Sequence, residues 1–239
     1  MDGDAIHMRA AWDAQAENWI AWARTPEHDH FFWRLGMPAL LELIPAPGRR
    51  TLDLACGEGR LSRLLAARGH AVVGVEGSPA LAAAAREAAP EIEVLDGDAA
   101  AIPLGDGAVD LVVCSMALLN FDDLDGAVRE VARVLEPGGR LCFSTVHPWN
   151  SLKDEPDYFA EATYAETRTR DGLTMTFTDR HRPLGALAGA FERAGLLIEA
   201  LREPVPDDEH VAHHPSVERW RRTPVFLLGR AVKPARAAP

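Results

Sequence analysis

Between residues 51 and 146 short apolar runs alternate with stretches whose apolar positions recur every three or four residues. The runs predict strands at Thr51–Ala55, Ala71–Glu76, Ile92–Leu95, Val109–Ser115 and Arg140–Val146. The stretches between them predict helices at Leu61–Arg68, in LAAAAREAA, and at Asp123–Leu135, the last closed by Glu136-Pro137-Gly138-Gly139. Gly77-Ser78-Pro79 offers a cap serine and a proline at the first helical position. Upstream, Trp12, Ala16, Trp19 and Ala23 fall on one face of a helix predicted over Ala10–Ala23, after loosely attached residues 1 to 9. Pro26 in RTPEHDH breaks the pattern, and a second helix, Phe31–Leu43, ends at Ile44-Pro45-Ala46-Pro47-Gly48.

Strands that are apolar nearly throughout, alternating with helices, mean a parallel sheet covered on both faces, an α/β fold. Past His147-Pro148 the alternation fails. Residues 149–182 read as polar and irregular, with one β-like patch, LTMTFT. A helix from Pro183 to Ala194, the strands LLIEALRE and TPVFLLGRAV, and a short helix near Val217–Arg221 complete the chain. We divide it into an N-terminal helical lid (1–45), a core (46–147), a cap insertion after the fifth strand (148–182) and a C-terminal part (183–239). These form one domain, a size that 239 residues allow.

A net charge of −11 argues against a nucleic-acid partner, and no basic patch or nucleic-acid motif opposes that. No apolar run approaches the roughly 18 residues of a membrane span, and the N-terminus shows no apolar leader segment. Cys56, Cys114 and Cys142 lie singly in or beside apolar runs, as buried reduced thiols of a cytoplasmic protein do. Oligomeric state leaves no signature; a homodimer is allowed.

The candidate chemistry begins at Arg50–Arg60, RTLDLACGEGR. An apolar strand carrying Asp53 breaks into Ala55-Cys56-Gly57-Glu58-Gly59 and passes straight into a helix. Such a turn lets backbone approach a ligand closely and aims helix N–H groups at it. A dinucleotide turn, G-x-G-x-x-G, would place glycine at positions 55 and 60, where Ala55 and Arg60 stand. Ala55 asks for a negative φ or mild strain. In an open parallel sheet ligands bind at the carboxyl ends of the strands, and this chain puts Glu76, Asp96-Gly97-Asp98 and Ser115 at those ends. An acid about 20 residues past the turn suits a ribose diol.

These segments, LDLACGEG, GVEGSP, DGDAAAIPLGDGAVDLVV and LEPGGRL, resemble the core of the class I S-adenosylmethionine-dependent methyltransferases over residues 46–147. The resemblance implies a Rossmann-like, seven-stranded, mostly parallel sheet in the order 3-2-1-4-5-7-6. It implies S-adenosylmethionine as cofactor and S-adenosylhomocysteine as product. Gly57 and Gly59 would line the methionine part, with Ala55 in the same turn and Asp53 on the ammonium end. Glu76, with Gly77 and Ser78 beside it, would take the ribose. Asp98 and Ala99 would take the adenine, and Ser115 and Met116 would flank the transferring methyl. WDAQAENW resembles the N-terminal helix of the small-molecule branch, the ubiquinone- and menaquinone-type and natural-product enzymes, with Trp12 and Trp19 near the sulfonium.

On the acceptor side a base tuned near neutrality is expected where a proton must leave, and histidine is the natural candidate. His147, after the fifth strand, and His181, in RHRPLG, are the two choices. Asn120, Tyr158, Phe159 and Tyr164 are candidates for the acceptor pocket. No metal is expected: the spacings of His28, Asp29 and His30, and of His210, His213 and His214, fit no finger, and the one i,i+4 pair sits in a loop. The reading is a methyltransferase acting on oxygen or nitrogen of a small molecule. Its rivals are a non-catalytic cofactor-binding regulatory module, a nicotinamide-dependent oxidoreductase, and a methyltransferase acting on a macromolecule.

Overall fold

The computed structural model describes residues 7–152 and 157–235. Seven strands form one sheet: β1 (Thr51–Leu54), β2 (Val72–Glu76), β3 (Glu93–Asp96), β4 (Val109–Ser115), β5 (Leu135–Val146), β8 (Leu197–Arg202) and β9 (Phe226–Val232). Their order is β3-β2-β1-β4-β5-β9-β8, with β9 antiparallel to both neighbours and the first five strands parallel. Counted within this sheet alone, that is 3-2-1-4-5-7-6. The order reverses between β1 and β4, so the crevice at their carboxyl ends is the binding position of such a sheet.

Side-chain alternation in β1 explains how the faces are covered. Leu52 and Leu54 point to one side, where α6 (Leu124–Val134) and α8 (Leu184–Arg193) supply Val128, Val131, Ala190 and Phe191. Thr51 and Asp53 point to the other, where α4 (Arg60–Ala67) and α3 (Met37–Leu43) bring Leu61, Leu65 and Leu40. Next to them α5 (Pro79–Ala88) lays Ala82 and Ala85 on Val94. Among the described residues, no helix is long and apolar enough to cross a membrane.

Four departures from the expected elements bear on the site. The first lid helix divides at Gln15 into α1 (Met8–Ala14) and α2 (Ala16–Ala23), which lets Trp12 and Trp19 meet edge to face at 5.5 Å. The expected loose segment 1–9 lies outside the described residues as far as residue 6, and Met8 is fully buried. Strand β5 begins at Leu135 rather than Arg140: Leu135 pairs with Val109, and residues 136–139 bulge before Arg140 pairs with Leu111.

The fourth departure is the largest. The insertion is not irregular. After the short helix α7 (Pro148–Ser151) it forms an antiparallel hairpin, β6 (Ala162–Arg170) and β7 (Leu173–His181). Asp171 and Gly172 make its two-residue turn with φ of 49° and 83°, the left-handed pair that Asp-Gly adopts in tight hairpins. One face carries Tyr164 opposite Asp179, Glu166 opposite Phe177 and Arg168 opposite Met175. The second C-terminal helix is α9 (Asp208–His213), followed by a 3-10 turn over Pro215–Arg221.

Candidate active site

A cavity of about 910 Å3 opens at the carboxyl ends of β1, β2 and β4. Its floor is the glycine turn and the loops after β2, β3 and β4; its walls are α1, α2 and the start of the next helix; its roof is the β6–β7 hairpin. Ligand sites commonly measure roughly 300–1,000 Å3, so this one is at the large end of the range.

The turn is built on left-handed backbone. Gly57 has φ +59° and Gly59 +82°, which only glycine adopts freely. Ala55 also sits at φ +56°, the strained alternative for an alanine there, and Met116 after β4 sits at +58°. A left-handed non-glycine residue costs on the order of 1–2 kcal/mol. The two strained residues therefore flank the crevice, one after each strand that bounds the switch point. A Cβ on Gly57 would lie 3.4 Å from Trp19 Nε1, in contact with the lid, so the positive φ rather than a lack of space calls for glycine there.

The floor carries buried carboxylates, among them Asp53 and Glu76 from β1 and β2. Asp53, 1% exposed, accepts a 2.6 Å hydrogen bond from Ser62 Oγ of α4; burial outweighs that bond and pushes it up to about 7. Glu76 accepts from the Gly57 N–H through Oε2 and from the Ser78 N–H through Oε1, each at 2.8 Å. Burial raises Glu76 above the usual carboxylate range, opposed by the backbone donors of Ser78, Gly57 and Gly77. Ser78 caps α5 and donates from its hydroxyl to Asp13, fastening α1 to the core. Asp98 accepts from Ala100 N–H at 2.8 Å. Ser115 Oγ lies 3.0 Å from Ser144 Oγ.

Of the residues expected at the cofactor, Trp19, Asp53, Ala55, Gly57, Glu76, Gly77, Ser78, Asp98, Ala99, Ser115 and Met116 line this one cavity. Gly59 does not. Its own place is against α5, where a Cβ would come 3.2 Å from that of Ala85. On the acceptor side Asn120 and Tyr164 line the cavity and Tyr158 does not. The Tyr158 hydroxyl instead accepts from the Leu184 N–H, and Phe159 is 81% exposed.

Both expected catalytic histidines are elsewhere. His147 caps α7 by accepting from the Trp149 N–H at 3.1 Å, and its Nε2 is 3.0 Å from Glu203. His181 is wholly buried, with Nδ1 2.9 Å from Ser151 Oγ and Nε2 2.9 Å from the Tyr158 carbonyl. Neither reaches the cavity, and both ring nitrogens of each are engaged. His30, His210 and His214 do come together: His30 Nδ1 is 3.1 Å from His210 Nε2, and the His30 and His214 rings stack at 3.9 Å. Stacked rings cannot aim their nitrogens at one ion, and burial, with His214, Arg170, His210 and Arg34 close by, drives His30 down to about 3.

Arg60 is the residue that the sequence undervalued. At the first position of α4 it pairs with Asp29 at 2.8 Å and lies over the Phe32 ring at 3.6 Å and the Trp19 ring at 4.9 Å. It thus ties the lid to the glycine turn. Beneath it, buried Glu58 is held by Arg24 at 3.0 Å and Arg63 at 2.9 Å. The hairpin adds Phe177, which meets Trp12, Trp19 and Trp22 edge to face at 6.4, 6.2 and 5.6 Å. It also adds Glu166, Arg168, Arg170 and Asp179 to the lining.

A parallel sheet with a glycine turn, buried acids at the strand ends and a lid over the switch point defines a nucleoside-cofactor enzyme fold. Known proteins make the class specific. Residues 52–143 match the family described as the methyltransferase domain. A 2-phytyl-1,4-naphtoquinone methyltransferase of Thermosynechococcus vestitus is 38% identical over 158 residues, 62% of this chain and 68% of that protein. An uncharacterized methyltransferase of Mycobacterium tuberculosis is 46% identical over 130 residues, 54% of this chain and 51% of its own. A crystal structure of an S-adenosylmethionine-dependent methyltransferase from Mesorhizobium loti superposes with a TM-score of 0.67 at 28% identity, covering 82% of this chain and 96% of that one. The chain belongs to the class I S-adenosylmethionine-dependent methyltransferases. It spans about half the length of the first curated relatives that it matches.

Proposed function

We propose that the protein transfers a methyl group from S-adenosylmethionine to an oxygen or nitrogen of a small molecule, and that it acts in the cytoplasm. The observation that carries this is one continuous cavity, which runs from the glycine turn to the underside of the hairpin. The residues fit the cofactor. Gly57 leaves room for a ligand against bare backbone beneath Trp19, and buried Asp53 and Glu76 offer acceptors to an ammonium group and a hydroxyl pair. When bound, the cofactor supplies an activated methyl on a sulfonium; alignment is the protein's part. The strained Ala55 and Met116 fix the two edges of the crevice. Trp12, Trp19 and Phe177 present aromatic surface to a cation and exclude water.

The hairpin and lid cover the cavity, which favours a small acceptor over RNA or a protein surface. The acidic charge of the chain points the same way. Calorimetric titration with S-adenosylhomocysteine, with NAD as control, tests the reading. Micromolar binding of the first and none of the second is expected. Binding of NAD alone, or of neither, overturns it.

A further inference from the structure

The sheet order divides the cavity. The floor acids Asp53 and Glu76 stand on β1 and β2, to one side of β4. To its other side come β5 and β9, and there the lining changes character. Ser115 pairs with Ser144 and Val146 with Phe226, so Met116 past the end of β4 and Phe226 at the start of β9 stand two strands apart. That is about 10 Å at roughly 4.8 Å per strand. Met116, Val225, Phe226, Trp220 and Phe31 belong to one apolar cluster, and all of them line the cavity. An apolar wall thus leads from the proposed methyl position away from the acids of the floor.

The wall ends on the 3-10 turn. Residues three apart eclipse one another in a 3-10 helix, which sets Ser216 and Arg219 on one side of this turn, and both line the cavity. Arg219 lies over the Trp220 ring at 4.4 Å, and Trp220 meets Phe31 edge to face at 6.3 Å. The turn is held from behind. His30 of the lid bonds His210 of α9 and stacks on His214, while Arg221 is tied to the Pro206 carbonyl at 3.1 Å. The other arginines of the cavity are engaged: Arg60 with Asp29, Arg168 with Glu166, Arg170 with the His28 carbonyl, and Arg9 through its charge with Glu76. Among the described residues, no hydrogen bond or ion pair takes the Arg219 guanidinium, which has the Trp220 face beside it. A guanidinium resting on an aromatic face keeps a planar fork of N–H donors for a carboxylate.

We propose that the acceptor has an apolar body with a carboxylate at one end, the carboxylate bound by Arg219 and Ser216, the body laid along Trp220, Phe31 and Phe226, and the methyl-accepting atom at Met116. This deepens the function proposed above and rests on it. The two charges of the reacting pair then lie at opposite sides of β4: the cofactor's ammonium over the floor acids, the acceptor's anion at the 3-10 turn. The methylated oxygen or nitrogen is a different atom from the carboxylate. The two-strand separation suits a ring with a short side chain, about 10 Å long. Fixing the far end of such a molecule orients its near end, which is what methyl transfer asks of the protein. The guanidinium fork sets direction as well as charge, because it meets both carboxylate oxygens at once.

The test loads the whole protein with S-adenosylhomocysteine and titrates 3-(4-hydroxyphenyl)propionate, the matching amide, and 2-(4-hydroxyphenyl)ethylamine. The carboxylate is expected to bind about tenfold more tightly than the amide, and the amine more weakly than either. Arg219 is exposed, so this preference should shrink as salt rises. Arg219→Gln should abolish it while S-adenosylhomocysteine affinity stays within about twofold. Ser216→Ala should reduce it severalfold, which keeps the test valid if the first variant fails to fold. Equal or tighter binding of the amide or the amine overturns the assignment. So does a preference that either substitution, in a folded variant, leaves untouched, or no binding of any probe at millimolar concentration. Failure of the wild-type protein to bind S-adenosylhomocysteine strikes the cofactor reading instead, and this inference falls with it.

Discussion

Glu76, at the end of β2, accepts the Gly57 N–H at 2.8 Å and so holds the turn after β1 across the crevice. Its other oxygen takes the Ser78 N–H, also at 2.8 Å. One carboxylate thus organises two loops and still faces the cavity.

Glu76→Ala removes an acceptor from both loops at once. Affinity for S-adenosylhomocysteine should fall at least about tenfold, ~1.4 kcal/mol. Stability should fall by about 1–3 kcal/mol, because two buried N–H groups lose their partner. Calorimetry and chemical denaturation read the two effects separately. A variant that is less stable but binds as before would leave Glu76 with the loops alone.

Asp53 gives a pH signature. Its folded carboxyl is raised to about 7, so the folded state holds the proton more tightly than the unfolded chain. That contribution is full below the unfolded value of 3.8 and is lost as pH rises through about 7. Asp53→Asn should therefore be more stable than wild type at about pH 8, by on the order of 1–3 kcal/mol, with the gap narrowing toward about pH 5. S-adenosylhomocysteine, whose ammonium end calls for the ionised form, should bind wild type more tightly as pH rises through this range. Denaturation curves and titrations at several pH values check both, and a pH-independent gap would contradict the assignment.

Arg60→Ala cuts the ion pair with Asp29 and the stacking on Phe32 and Trp19 together. The lid should dock more weakly, at a cost of about 1–3 kcal/mol. Proteolysis near Pro26 should quicken in the unliganded protein and slow again on adding S-adenosylhomocysteine. Unchanged cleavage would show that the aromatic contacts alone keep the lid closed.

The two histidines outside the cavity separate packing from chemistry. His181→Ala leaves Ser151 Oγ and the Tyr158 carbonyl without their buried partner and should cost about 2–3 kcal/mol. His147→Ala removes a cap from a four-residue helix and should cost about 1 kcal/mol or less. Cofactor affinity should stay within about twofold in both. A tenfold loss in either would return that histidine to the site.

The sheet was legible because its strands are apolar nearly throughout and end in residues of another kind. That change of character marked Glu76, Asp98 and Ser115 before any contact was known. The hairpin was not legible on the same ground: ATYAETRTR alternates threonine with charged residues, and its covered face carries Tyr164, Glu166 and Arg168 rather than leucine or valine. Asp171-Gly172 was the signal that could have found it. His147 and His181 sat at the right places in the chain, yet a loop side chain points where its neighbours leave it a partner. Arg60 reads as a missing glycine until the lid, bearing Asp29 from 31 residues away, lies on it.

The match to the methyltransferase domain ends at Phe143, and the hairpin begins at Ala162. The floor and the roof of the cavity therefore belong to separable stretches of chain. The hairpin forms its own two-stranded sheet and joins the rest through residues at its base, through α1 and α2, and at its tip through His28. Replacing residues 162–181 with the corresponding stretch of a relative is then a transplant of selectivity that leaves the methyl donor's seat in place. Sequences alike from 52 to 143 should sort into acceptor groups by the charges written along this ribbon.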